Sequence, residues 1–182
     1  MKTILSVAML MGSVLTVSRG YADEQVTPEK VLEGVFNGSW EAVKVELPPY
    51  DSEGSKKVCT AENTSAGVPN HSMISFCLSQ SRSAYKDLQY FLKQNATFPK
   101  VKETTDAIIA SNSKYGVINY EMVLFEWKQN KEGYDDLKYF YKKPDSDKEA
   151  MYKAIMGTYD FSHYINYNQA DFEYKEMVGI PH

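Results

Sequence analysis

Apolar side chains recur at helical spacing through the middle of this chain. Ile74, Leu78, Tyr85, Leu88 and Leu92 are three, four or seven residues apart, and no Gly or Pro interrupts Met73 through Gln94. That period predicts one long amphipathic helix from about Ser72 to Gln94. At an offset of 49 residues, Val123, Trp127, Tyr134, Leu137 and Tyr141 mark the same stripe.

The stripe belongs to a longer internal match. "YKDLQYFLK" at Tyr85 and "YDDLKYFYK" at Tyr134 share six of nine letters. Asn70, Met73, Phe76 and Gln80 find Asn119, Met122, Phe125 and Gln129, so ten of the 24 positions from Asn70 to Lys93 are identical. Beyond Lys93 the offset becomes 47: "INY" at Ile118 recurs at Ile165, and "FEWK" at Phe125 becomes "FEYK" at Phe172. The slip falls in a stretch containing Pro99, where a loop tolerates insertion. The pattern predicts a degenerate repeat of about 47–49 residues, a size that fits a two- or three-helix module, with units starting near Asn70, Asn119 and Asn166.

The predicted fold class is therefore all-α: a single domain of antiparallel helices built on this repeat. An α+β alternative puts a β-hairpin at 117–142, because Leu137, Tyr139 and Tyr141 alternate with Lys138 and Lys142, and Asn130 to Gly133 would make the turn. Upstream, "TPEKVLEGVF" predicts a short helix capped by Thr27, with Pro28 in its first turn and Asn37-Gly38 at its end. "WEAVKVEL" suits helix or strand equally, and Pro48 to Asn70, rich in Pro, Gly, Ser, Thr and Asn, predicts a loop. The remaining helices are expected near Lys100–Ala110, Asn119–Gln129, Tyr134–Lys142, Asp147–Met156 and Asn166–Val178.

The N-terminus changes the picture of where the chain works. Lys2 precedes an apolar run from Ile4 to Val17, broken by Gly12 and Ser13 and followed by "GYA" before Asp23. The run is too short to span a bilayer comfortably. It predicts a secretory signal peptide at 1–22 and a periplasmic or secreted mature chain. Residues 23–69 then form an N-terminal helix plus an irregular segment, and 70–182 the helical repeat region. The formal net charge is −4, and removing Lys2 and Arg19 makes it more negative. That balance argues against nucleic-acid partners and against docking on anionic lipid. No membrane insertion is expected after signal cleavage. Both cysteines, Cys59 and Cys77, lie in the mature chain, and export predicts a disulfide between them. It is expected to staple the segment around Cys59 onto the first long helix.

Candidate chemistry is sparse. His163 lies three residues after Asp160, and His71 and His182 stand alone; neither a metal site nor a cofactor is expected from this spacing. Gly-rich phosphate loops, nucleophile elbows and HExxH are absent from the sequence. Asp87 and Asp136 recur in both copies, which points to a shared structural task such as pairing with a lysine one turn away. Catalysis requires unlike groups converging on one pocket, so an enzyme is not expected. Four Asn-x-Ser/Thr triplets begin at Asn37, Asn63, Asn70 and Asn95 and are glycan acceptors only in a host that glycosylates exported chains.

Tyrosine supplies the functional expectation. Eight tyrosines fall between Tyr134 and Tyr174, and Tyr combines large contact area with a polar tip. The expected partner-binding surface comprises Tyr134, Tyr141, Tyr152, Tyr159, Tyr164 and Tyr167, with Asp145 and Asp147 of the acidic turn "PDSDKE". The expected function is binding of another macromolecule, most simply a protein, as by an inhibitor or immunity-type neutraliser. A small-ligand or carbohydrate binder is the second reading and a hydrolase the third.

Overall fold

A computed structural model describes residues 27–159 and 164–181. The segment read as a signal peptide lies outside them, as do Asp160, His163 and His182. The described chain is predominantly α-helical, with only two very short strand pairs. Its elements are α1 (Pro28–Phe36), α2 (Ser52–Glu62), β1 (Thr64–Ser65), β2 (Val68–Pro69), α3 (His71–Gln94), α4 (Val101–Ser111), β3 (Ser113–Lys114), β4 (Val117–Ile118), α5 (Tyr120–Tyr141), α6 (Lys148–Thr158) and α7 (Tyr167–Val178). Two compact units divide the chain, one from Trp40–Glu132 and the other from the segments before Trp40 and after Glu132.

Within Trp40–Glu132, the core gathers on Trp127. Its ring is fully buried, its Nε1 donates to Thr105 Oγ1 at 3.2 Å, and Phe98 meets it edge-on with centroids 5.0 Å apart. Leu88, Leu92, Val101, Ile108 and Val123 are among the other buried residues of this unit. Segment 38–51, including "WEAVKVEL", forms no regular element. It is pinned by Val43 N–H donating to the Ala96 carbonyl and by the Tyr120 hydroxyl donating to the Pro48 carbonyl, both at 2.9 Å.

The expected loop from Pro48 to Asn70 contains α2 and the β1–β2 pair instead. Asp51 starts α2 by accepting from Gly54 N–H at 2.9 Å, a cap that the Ser- and Gly-rich composition concealed. The Cys59–Cys77 disulfide joins α2 to α3.

A second correction concerns 117–142. Neither the hairpin nor a pair of separate helices forms there; α5 runs unbroken from Tyr120 to Tyr141. The only strand pairing nearby is the two-residue β3–β4 pair just before it. Glycine inside a helix costs about 1 kcal/mol against alanine, and the reason for Gly133 is tertiary. A Cβ there would lie 2.6 Å from the carbonyl carbon of Tyr167 and 2.7 Å from Asn168 Cα. The α5 backbone touches the start of α7, and only glycine leaves room.

Element boundaries follow the sequence offsets. α2, α4 and α6 each have 11 residues, and their starts at Ser52, Val101 and Lys148 are separated by 49 and then 47 positions. Each is followed by strand pairing, the last a single bridge from Tyr159 to Ile165. Asn70, Asn119 and Asn166 then cap the following helices, accepting from the N–H of Met73, Met122 and Gln169 at 3.2, 3.2 and 3.1 Å. Ala66-Gly67 and Tyr115-Gly116 turn the two hairpins with positive φ at both residues, as a type I′ turn requires.

In the other unit, α1 buries Val31, Leu32, Val35 and Phe36, while α6 buries Ala150, Met151, Ala154 and Ile155. Asp147 caps α6 by accepting from Ala150 N–H at 2.9 Å. Lys148 closes the opposite end of α5, donating to the carbonyls of Tyr141 and Lys143. A cation there also suits the negative end of the helix dipole.

Two stability outcomes follow. Leu88 and Leu137 are both fully buried, so each Leu→Ala change should cost about 2–5 kcal/mol in denaturant unfolding. Gly133→Ala should destabilise by about 1–3 kcal/mol through overpacking despite alanine's better helix propensity. A Gly133→Ala protein as stable as the parent would show that α5 and α7 can separate without loss.

Candidate functional site

The tyrosine-rich half is the contact surface expected from the sequence, and the structure divides it. Tyr134 and Tyr167 are buried, at 7% and 2% exposure, and their rings meet edge-on at 5.1 Å. They offer no area to a partner and belong to the core, as does Tyr174. Tyr141, Tyr152, Tyr159 and Tyr164 are half-buried, while Asp145 and Asp147 are exposed. Asp147 is engaged as the α6 cap.

Tyr141 stands where the sequence offset of 49 matches it to Leu92. Its ring packs on Phe36 at 5.1 Å, and its hydroxyl donates to Glu33 Oε2 at 2.7 Å. The Lys148 ammonium lies 4.3 Å from the ring centroid. One end of the residue is apolar packing and the other a polar rim, the division of labour for which tyrosine is suited.

Asp136 does not pair with a lysine one turn away. Lys175 of α7 reaches it at 2.8 Å and also reaches Asp171. Burial works against the Lys175 ammonium, but hydrogen bonds to both carboxylates outweigh it and hold its pKa above the ordinary value. Asp87, matched to it at the offset of 49, instead accepts from the Ser83 hydroxyl at 3.3 Å. Identical letters thus serve different contacts.

Sequence reasoning passed over another set. Phe76 and Phe125 occupy matched positions and are 57% and 52% exposed. Met73 and Met122, one turn earlier, are also exposed, as are Tyr90 and Tyr139. Phe172, matched to Phe125 at the offset of 47, is exposed on α7. The signal was available: these identities lie off the buried stripe, so packing does not account for them.

Among the described residues, no group of three or more His, Cys, Asp or Glu is placed to hold a metal ion. No helix among them is long and apolar enough to cross a membrane. Comparison with protein-family models, curated proteins and solved structures gives no match to this chain.

The buried phenols dictate an alkaline response. Burial pushes Tyr120 and Tyr134 up to about 12; Tyr141 also reaches about 12, by burial first and then by its bond to Glu33. Burial raises Tyr167 as well. A phenol in the unfolded chain ionises near pH ~10. Above that pH the unfolded chain has released protons that the folded chain still holds, so stability falls as pH rises. The melting temperature should hold steady on approach to pH ~10 as far as the tyrosines are concerned, then drop steeply toward pH ~12. The part of the tyrosinate absorbance that comes from the buried rings should rise together with unfolding. Full ionisation of every tyrosine near pH ~10 in a chain that stays folded would contradict the burial of these rings.

Proposed function

We propose that this is an exported binding protein that recognises another protein, in the manner of an inhibitor or immunity-type neutraliser. The observation supporting this reading is the recurrence of exposed Met and Phe at matched helix positions: Met73 and Phe76 on α3, Met122 and Phe125 on α5. Each pair sits one turn apart on its helix, directly after an asparagine cap. A large apolar side chain held on a rigid, capped helix loses little freedom on binding, which favours it as a contact residue. The intramolecular disulfide suits an oxidising compartment and supports export. The acidic balance of the chain favours encounter with a basic patch on the partner.

The test uses the oxidised mature protein as bait for exported proteins, followed by affinity measurement on the purified partner. Phe76→Ser and Phe125→Ser should leave the melting temperature nearly unchanged, because both side chains face water. At least one should weaken binding by about 2 kcal/mol or more, the loss of a contact hot spot. Tyr134→Ala and Tyr167→Ala should instead lower the melting temperature. Unchanged affinity in both Phe variants would remove these positions from the contact surface.

A further inference from the structure

The three 11-residue helices α2, α4 and α6 occupy matched places, yet they are anchored differently. α4 buries Val101, Thr104, Thr105 and Ile108, and α6 buries Ala150, Met151, Ala154 and Ile155. α2 buries only Gly54, Ser55 and Cys59. At the eighth residue of each helix the chain has Cys59, Ile108 and Ile155, all buried. Where its counterparts place an isoleucine in the core, α2 places one half of a disulfide.

The rest of α2 adds little to hold it. Gly54, which has no side chain to bury, packs closely enough that a Cβ would come 2.8 Å from Val117 Cγ2. Val58 is exposed, and Lys56 and Lys57 face water. A free helix of this length is marginal in water, and Gly and Ser lower its propensity further. The disulfide, with a sequence separation of 18, adds a covalent tie to α3 beside the few buried residues of α2.

We propose that α2 is a redox-controlled strap: the Cys59–Cys77 bond holds residues 52–62 against α3, and reduction releases them while the rest of the chain stays folded. Cys59 is 2% exposed, but Cys77 is only half-buried, so an exported dithiol or a small thiol reaches the Cys77 side. The reductant's thiolate attacks Cys77 Sγ, the Cys59 thiolate leaves, and that thiolate takes a proton from solvent. The reductant's second thiol then breaks the mixed disulfide and frees Cys77 as a thiol. Two electrons pass to the protein, and the dithiol becomes a disulfide. The released α2 no longer covers its face of α3, so the redox state sets the conformation of this segment.

Limited trypsin digestion with and without dithiothreitol tests this, with cleavage sites assigned by mass spectrometry. Lys102 on α4 and Lys153 on α6 are exposed on the counterpart helices and serve as internal controls. Reduction should accelerate cleavage after Lys56 and Lys57 by about tenfold or more, with the controls unchanged, because cleavage follows the population of the locally open form. The double variant Cys59→Ala/Cys77→Ala should be cut at the same two sites without any reductant and keep most of its far-ultraviolet helix signal. Protection of Lys56 and Lys57 in thiol-verified reduced protein would overturn the proposal. Equal acceleration at Lys102 and Lys153, or a double variant without helix signal, would also overturn it, since the bond would then hold the whole fold.

Discussion

Much of this structure depends on α5 passing unbroken through Gly133. The helix gives Tyr120, Val123 and Trp127 to one core, and Tyr134 and Leu137 to the other. Glycine lowers helix propensity, but the same missing Cβ lets the α5 backbone approach Tyr167 and Asn168. The local cost is offset by packing that no larger residue permits. Burial of the Tyr134 and Tyr167 rings against each other follows from that approach.

A second constraint is the satisfaction of helix-end backbone groups. Three times a short helix gives way to strand pairing and an asparagine that caps the next helix. Asn63 and Asn112 close the preceding helices, each bonding through its own N–H and its side-chain amide to the Cys59 or Ile108 carbonyl. Asn70 N–H returns to the Asn63 carbonyl and Asn119 N–H to the Asn112 carbonyl, both at 2.9 Å. Few polar groups are left over in these reversals, so short connections can carry the chain between helices without large loops. The hairpin residues Gly67 and Gly116 supply the positive φ that such turns need.

Tyrosine abundance is mostly a packing feature in this fold. The phenol ring fills core space while its hydroxyl finds an acceptor at the rim, as Tyr120 does at Pro48 and Tyr141 at Glu33. Among the described residues, Tyr90, Tyr115 and Tyr139 do face water, as do Met73, Phe76, Met122, Phe125 and Phe172. Of the tyrosines in the second half, Tyr134, Tyr167 and Tyr174 belong to the core, while Tyr141, Tyr152, Tyr159 and Tyr164 are half-buried.

The sequence by itself determined the helical class, the Thr27, Asp147 and Asn166 ends of their helices, the stripe through Leu88 and Leu137, and the Cys59–Cys77 pair. These rest on period, capping chemistry and cysteine count, all of which are local or additive along the chain. Tertiary structure decided the continuity of α5, the existence of α2 and the fate of the tyrosines. Gly133 reads as a turn until the backbone of Tyr167 is seen against it. α2 reads as a loop because its anchor is a covalent bond rather than an apolar stripe. Whether Tyr134 or Tyr139 faces solvent depends on which neighbouring helix covers each side of α5, and helical spacing alone does not encode that choice.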